Sequence, residues 1–420
     1  MRIIPLGAEV EFQRGWKLLL GCLVGMIIGV HSIPFYTTGL FMESLQSEFG
    51  WSRAQVSLAP SITTFVLAFS APIFGGLVDR FGSRPILVPC LLIYTALLAS
   101  ISLLQDSVIA FYLIFGMIAA LGGGVSTPTF SKLVNRAFDR GRGSALGMTM
   151  IGPGIASLLT PTFLPWIIAS YGWRAGYLTL AGIVLLASPL LLYLLKGGVA
   201  LERVAPTDQP ADGSSFAEAL RSPTFYLVCL SFFLVALASA GLVVNFVPLM
   251  RDGGASIVTT SFYASTFGIF LIIGRLMSGV LFDHFFAPRL AAILMLVGGL
   301  GCLAFLYGGV CWAFVTALGI GLAFGAEIDL AGYLCARYFG FRAYGRVYGL
   351  LYASILVGSA ISPPLYGFIR DQNGSYDAGL WMSVICFAAS IILFCLMPAF
   401  PKLDLAPASS KMGTPNNSHI

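Results

Sequence analysis

The sequence predicts an all-α membrane protein, with twelve transmembrane helices in two pseudo-symmetric six-helix bundles. Three observations predict it. Hydrophobic residues make up 58% of the 420 residues and charged residues only 10%. A soluble domain has about 25% charged residues, so this chain could not cover itself with a water-facing surface. Apolar runs of roughly 20 residues, the length that crosses a bilayer, recur along the whole chain. Finally, short motifs in the first half return in the second.

The runs lie near 16–41, 54–78, 85–104, 107–131, 143–169, 175–195, 224–249, 257–282, 289–309, 311–336, 343–369 and 378–400. The first follows a short polar start and is too long for a cleavable signal, so it reads as a permanent helix. Glycines at spacing four, such as Gly21, Gly25 and Gly29, suit close helix packing in lipid. Six runs lie on each side of "KGGVALERVAPTDQPADGSSFAEALRS" (196–222), the longest polar stretch. Its Pro, Asp, Gly and Ser content marks a flexible linker. The expected organisation is a bundle over 1–195, a cytoplasmic linker over 196–222, a second bundle over 223–400 and a disordered cytoplasmic tail over 401–420. Pro34, Pro128, Pro153, Pro161, Pro248 and Pro363 lie in or near spans, where they permit bending. The eight cysteines lack any CxxC or His-linked spacing. They read as small buried hydrophobes, with no metal or other cofactor expected.

Positive charge orients the array. With the N-terminus in the cytoplasm, the cytoplasmic segments hold 18 of the 23 Lys and Arg, and the outer loops hold only Arg53, Arg174, Arg251 and Arg370. The one left over is Arg275. Both termini are therefore expected in the cytoplasm, and the net charge of +5 reflects topology rather than nucleic-acid binding. Short loops throughout suggest a bacterial inner membrane. The protein is expected to work as a monomer surrounded by lipid.

The two halves echo each other. "GGLVDRFGSRP" (75–85) follows the second run and "GVLFDHFFAPR" (279–289) the eighth, aligning Gly75 and Asp79 with Gly279 and Asp283. "RAFDRGRGSALG" (136–147) follows the fourth and "RYFGFRAYGRVYG" (337–349) the tenth, aligning Arg136, Phe138, Gly143 and Gly147 with Arg337, Phe339, Gly345 and Gly349. "HSIP" (31–34) matches "NFVP" (245–248). Duplicated six-helix halves are the sequence sign of a secondary transporter, whose site lies between the halves near the bilayer midplane.

Gly75, Asp79, Arg80, Gly82 and Arg84 match the loop signature G-x-x-x-D-R-x-G-x-R, and the chain resembles the major facilitator superfamily over its whole length. The resemblance implies a cytoplasmic charge network of Asp79 with Arg80, Arg84 and Arg136, and a pseudo-symmetric pair of Asp283 with Arg337. Such a network holds the outward-open state. The second copy is degraded, with His284 and Phe286 in place of arginine and glycine, and should lock more weakly. The alternative is that these charges only anchor helix ends.

Within the superfamily the chain is similar to the monocarboxylate transporter and oxalate:formate antiporter group. Arg275, in "GRLMSGVLFD", sits where those transporters carry a substrate-binding arginine. "YGWRAGY" (171–177) and "FGWSRAQVSLA" (49–59) are also typical. The chain departs from the group at Leu271, where an aspartate is usual, and at "QRGWK" (13–17) before the first run. It also lacks the antiporters' lysine in the eleventh run.

Arg275, Glu327 and Asp329 lie deep in apolar runs, and His31 joins them near the middle of the first. An arginine facing lipid costs several kcal/mol, so Arg275 is expected to face protein or water. At about 1.5 Å per residue, Arg275 and Asp329 both sit roughly 12 Å from the cytoplasmic boundary. Glu327 and Asp329 point to opposite faces of a helix, so one lines a cavity and the other meets a neighbouring helix. Glu327 is expected closer to the cavity or to Arg275. The alternative is a buried Arg–carboxylate pair that only fixes packing. His31 and Asn245, at equivalent repeat positions, with Phe35, Tyr36 and Tyr333, are the other candidate substrate contacts.

The expected function is secondary active transport of a small organic anion, a monocarboxylate in the first instance, by alternating access with proton symport. Arginine stays charged and grips a carboxylate with a two-pronged fork. A titratable Glu327 or Asp329 nearby lets a proton travel with the anion. The alternatives are an anion exchanger without proton coupling and a drug or metabolite efflux antiporter. "GMTMIGPGIAS" (147–157) partly resembles the antiporter helix motif, whereas Arg275 argues against a cation carrier. No HExxH, nucleotide loop or nucleophile–base pair is present, so an enzyme is not expected.

Overall fold

The computed structural model describes residues 9–138, 142–196, 213–340 and 342–401. The side chains of a few helical residues, Asp79 and Asp283 among them, also lie outside the description, as do most of the expected linker and the tail from 402. Among the described residues every named element is a helix.

The first span is two helices, α1 (Glu9–Ile27) and α2 (Ser32–Phe49). Then come α3 (Arg53–Phe81) and α4 (Ser83–Ile101), and a fourth span built from α5 (Val108–Gly122) and α6 (Thr127–Ala137). The fifth span joins α7 (Arg142–Met150) to the start of α8 (Gly152–Leu195). The 44 residues of α8 are broken at Gly172, where φ is 83°. A straight helix of that length would run about 66 Å, twice the hydrocarbon thickness, so α8 completes the fifth span and forms the sixth. A short α9 (Phe216–Arg221) precedes the second half: α10 (Pro223–Asp252), α11 (Ile257–His284), α12 (Ala287–Gly308), α13 (Ala313–Phe339), α14 (Tyr344–Asn373) and α15 (Asp377–Cys395). That makes twelve spans, and an even number returns both chain ends to one face, here called the terminal face.

Two sequence expectations change in detail. The first and fourth spans are not continuous. Val30 N donates to Val125 O at 3.1 Å, so one backbone bond ties the break at 28–31 to that at 123–126. Unwound backbone is tolerated at membrane depth only where it finds such partners. The end of the segment expected as a flexible linker is ordered. Ser215 and Glu218 form a capping box on α9, and Ser214 N donates to Phe339 O at 2.9 Å.

The apolar core falls into two large clusters, one over Phe12 to Leu195 and one over Ala219 to Met397, with a small third of Phe35, Ala240 and Val244 joining the halves. The two Gly-Trp motifs meet on the face opposite the termini. Gly50 (φ 67°) and Gly172 (φ 83°) turn the chain, and Trp51 and Trp173 donate their indole N–H to Asp106 at 3.0 Å and Glu48 at 2.6 Å. Phe49 lies against both indoles, with centroids 4.8 and 5.8 Å away. These motifs build structure.

The halves approach closely toward the opposite face and diverge toward the terminal face. A Cβ added at Gly39 would lie 2.4 Å from Val244 O, and one at Gly367 would lie 2.5 Å from Ala54 N, both across the interface. Around Gly143, Gly147, Gly345 and Gly349, the repeat glycines near the terminal face, no such atom lies within 4 Å. Backbone-tight contact between the halves is thus found toward the opposite face, and the terminal-face repeat glycines take no part in such contact.

Candidate functional site

Arg275 is positioned by glycine packing. A Cβ at Gly325 would lie 2.4 Å from Leu271 O, and one at Gly274 would lie 2.7 Å from Leu322 O. Gly321 and Gly325, four apart, let α13 run backbone to backbone against α11. Arg275, only 5% exposed, therefore lies directly on α13. Its Nε donates to Gly325 O at 3.3 Å, and Asp329 Oδ2 sits 3.3 Å from the same nitrogen as an ion pair.

The third partner comes from the other half. Arg275 Nη1 donates to Met150 O. That carbonyl is available because α7 ends there and α8 starts afresh at Gly152. Carbonyls at a helix C-terminus lack intrahelical partners and carry the negative end of the dipole. The "GMTMIGPGIAS" motif thus supplies an acceptor for Arg275.

The ion-pair partner of Arg275 is Asp329, not Glu327, the acid expected nearer to it. The packed segment of α13 places Gly325 beside the guanidinium, and position 329 is the next turn on that face. Glu327 is 1% exposed and its Oε1 has no hydrogen-bond partner, although Arg275 remains within electrostatic reach.

The aromatic candidates divide. His31 ends the break in the first span, and its ring stacks on Phe35 with centroids 4.9 Å apart. Phe35 lies parallel to Phe324, at 6.2 Å and 3°, and meets the edge of Tyr36. Tyr36 is within electrostatic reach of both Arg275 and Glu327. Tyr333 lies further toward the terminal face, against Phe282 and Phe400 at 5.7 and 6.3 Å. The sequence reading missed Tyr348 and Tyr352 on α14, which lie within reach of Arg275. Their signal was the i, i+4, i+8 spacing of Tyr344, Tyr348 and Tyr352, which shares one helix face.

Asn245 is fully buried, and its neighbours lead away from Arg275. Its side-chain nitrogen donates to Gly241 O at 2.9 Å, and its oxygen accepts from Ser57 Oγ at 3.3 Å and Tyr376 OH at 3.2 Å. Tyr376 OH in turn accepts from Arg53 Nη1 at 2.9 Å. Arg53 opens a charge network that closes the opposite face. Asp252 bonds Arg53 from one half and Arg370 from the other, each at 2.6 Å. Asp371 accepts from the backbone N–H of Arg53 and Ala54, at 3.1 and 2.9 Å, capping α3 from across the interface. Arg251 pairs with Glu43 at 3.2 Å, but that glutamate is 73% exposed and such pairs contribute little. Sequence reading missed this network. Its signal was that every outer-loop arginine had an outer-loop acid to meet.

At the terminal face, Arg136 ends α6 and Arg337 ends α13, and both are exposed, as are Arg80 and Arg84. Arg337 stacks over Phe400 at 4.7 Å and Arg80 over Phe81 at 5.2 Å. The side chains of Asp79 and Asp283 lie outside the described residues.

The family model of the Major Facilitator Superfamily matches residues 24–363 and again 228–415. The chain belongs to the Major Facilitator Superfamily. It is 28% identical to Monocarboxylate transporter 13 of Rattus norvegicus over 93% of this chain and 91% of that one. It is 26% identical to Monocarboxylate transporter 11 of Homo sapiens, over 92% and 84%. Among solved structures it resembles a bacterial homologue of the human lysosomal transporter Spinster in an inward-facing, unoccupied conformation. The TM-score is 0.68, with 18% identity over 91% of this chain and 96% of that one. At that identity the likeness speaks for the fold. The superfamily fold accounts for the paired six-helix halves, and the protein is an integral multi-pass transporter, not an enzyme.

Proposed function

We propose that this chain carries a small monocarboxylate across the membrane by alternating access, together with a proton. The observation that carries the reading is Arg275: a buried cation midway along a span, reached by groups from both halves. Its partners are two carbonyls and one acid, all exchangeable for a substrate carboxylate that presents two oxygens to the guanidinium fork. Substrate bound there displaces Met150 O and Asp329 and so loosens the tie between the halves. Glu327, 1% exposed and outside the ion pair that Asp329 makes, is the group we assign to the proton. His31, Phe35 and Tyr36 line the site. The relatives named as monocarboxylate transporters support the substrate class.

The excess of Lys and Arg on terminal-face segments supports a cytoplasmic terminal face, and on that reading the described state is inward-open. Asp79 with Arg136, and Asp283 with Arg337, would then close that face in the outward-open state. The relatives named above are animal proteins, so the bacterial inner-membrane placement rests on loop length alone.

The test is uptake of labelled mono- and dicarboxylates by proteoliposomes, with and without an inward proton gradient. Monocarboxylates should accumulate against their gradient only when the proton gradient is present. Arg275→Ala should abolish uptake, and Arg275→Lys should retain little of it. Near-normal uptake by Arg275→Ala would sink the anion site. Saturable uptake indifferent to pH would favour the pure exchanger.

A further inference from the structure

The monocarboxylate reading leaves unexplained what surrounds Arg275. Two aromatic groups flank the charges. Toward the closed face, Phe324, one turn from Glu327 on α13, lies parallel to Phe35. Toward the open face, Tyr352, Tyr348 and Tyr344 form a ladder on α14. Their rings are nearly parallel, with centroids 6.0 Å apart at 17° and 5.6 Å apart at 3°. The lower rung, Tyr352, is within electrostatic reach of Arg275 and Glu327, and Tyr348 of Arg275 and Asp329. The ladder covers about 12 Å of helix. Its outer end lies beside Gly345 and Gly349, where the halves stand apart.

The ladder packs against the core of the second half on one side and keeps part of its ring surface uncovered. Tyr348 and Tyr352 are half-buried, and so is Phe324. They present ring surface within electrostatic reach of a buried arginine. A two- or three-carbon acid bound at Arg275 is too short to use a wall of that length. A flat ring attached to the carboxylate would use it at every step. It would rest against Phe324 and Tyr352 when bound, then pass along Tyr348 and Tyr344 as it leaves. Ring pairs with centroids 4.5–7 Å apart contribute about 0.5–1.5 kcal/mol beyond the area they bury.

We propose that the transported anion is an aromatic monocarboxylate, its carboxylate on Arg275 and its ring read by Tyr352, Tyr348 and Phe324. The proposal rests on the monocarboxylate reading and adds the other end of the substrate.

The experiment measures uptake of labelled phenylacetate, benzoate, lactate and acetate by proteoliposomes of the full chain, and expresses each as kcat/KM. Phenylacetate should exceed acetate by about tenfold or more, the size of one good ring pair. Tyr352→Leu and Phe324→Leu should each lower the aromatic-to-aliphatic ratio by about tenfold, and Tyr352→Phe should keep it. An aromatic-to-aliphatic ratio near one in the unmodified protein overturns the proposal and leaves the monocarboxylate reading standing. So does a ratio that neither leucine variant moves. Uptake of no carboxylate at all overturns both. If the leucine variants do not fold, the ratio in the unmodified protein still decides, and thermal unfolding gives a second reading. Phenylacetate should raise the unfolding temperature more than equimolar acetate, and equal shifts count against the proposal.

Discussion

Two acids on one helix turn, Glu327 and Asp329, are assigned different tasks by their surroundings. Asp329 forms the ion pair with Arg275 and its side chain is 25% exposed, whereas Glu327 is 1% exposed and stands outside that pair. Glu327→Gln is therefore expected to lose proton-driven accumulation while keeping counterflow of labelled against unlabelled substrate. Asp329→Asn should instead lower the unfolding temperature. Removing one member of a buried ion pair costs about 3–5 kcal/mol, and partial exposure and the two carbonyls on Arg275 put this case at or below the low end. If both variants and His31→Ala still accumulate substrate under a proton gradient, coupling through this set is wrong. Arg275 was legible in the sequence because a charge in an apolar run needs a reason. Met150 was not, because a backbone carbonyl has no residue signature and becomes available only where a helix breaks.

Among elements, the glycines control how closely helices pass. Gly325 sits where a side chain would strike the backbone of α11, so Gly325→Val should push α13 away and separate Arg275 from Gly325 O and Asp329. Overpacking of this kind costs about 1–3 kcal/mol, read as a lower unfolding temperature together with lost uptake. Gly349 is the opposite case, with no neighbouring atom within 4 Å in this state. Gly349→Leu should therefore fold normally, yet hold the terminal face open when the halves try to close, and uptake should fall at least tenfold with little change in unfolding temperature. A variant that transports at the normal rate would show that α14 does not approach its neighbours there. Helix number was readable from the sequence because twenty apolar residues are a bilayer's thickness. The breaks at 28–31 and 123–126 were not, because they are tied to each other by a backbone bond and leave the local hydropathy unchanged. The end of the polar segment before α10 read as flexible because its order depends on a contact with Phe339 and on a capping box five residues after Pro210.

At the scale of the whole molecule, alternating access needs two locks of opposite effect, and the one at the opposite face is engaged here. Asp252 holds Arg53 and Arg370 from opposite halves, while the terminal-face arginines are exposed. The superfamily resemblance pointed to the terminal-face lock because its residues form a sequence signature. The other lock has no signature; it is assembled from three regions that are distant in sequence. Breaking Asp252's charged bonds removes about 2 kcal/mol from the closed opposite face, roughly a thirtyfold change in the ratio of the two states. Asp252→Asn should therefore raise the labelling rate of a cysteine placed in the cleft near the opposite face, in a background without the other eight cysteines. Asp79→Asn should lower that rate, because it weakens the lock that favours the outward-open state. The double variant should return toward the unmodified protein, since the two changes act on one equilibrium from opposite sides and add when the sites are far apart. If Asp252→Asn leaves labelling unchanged, its ion pairs are ornaments of the closed face. If Asp79→Asn and Arg136→Ala both leave it unchanged, those charges only anchor helix ends, and closure of the terminal face depends on helix packing around Gly147 and Gly349 instead.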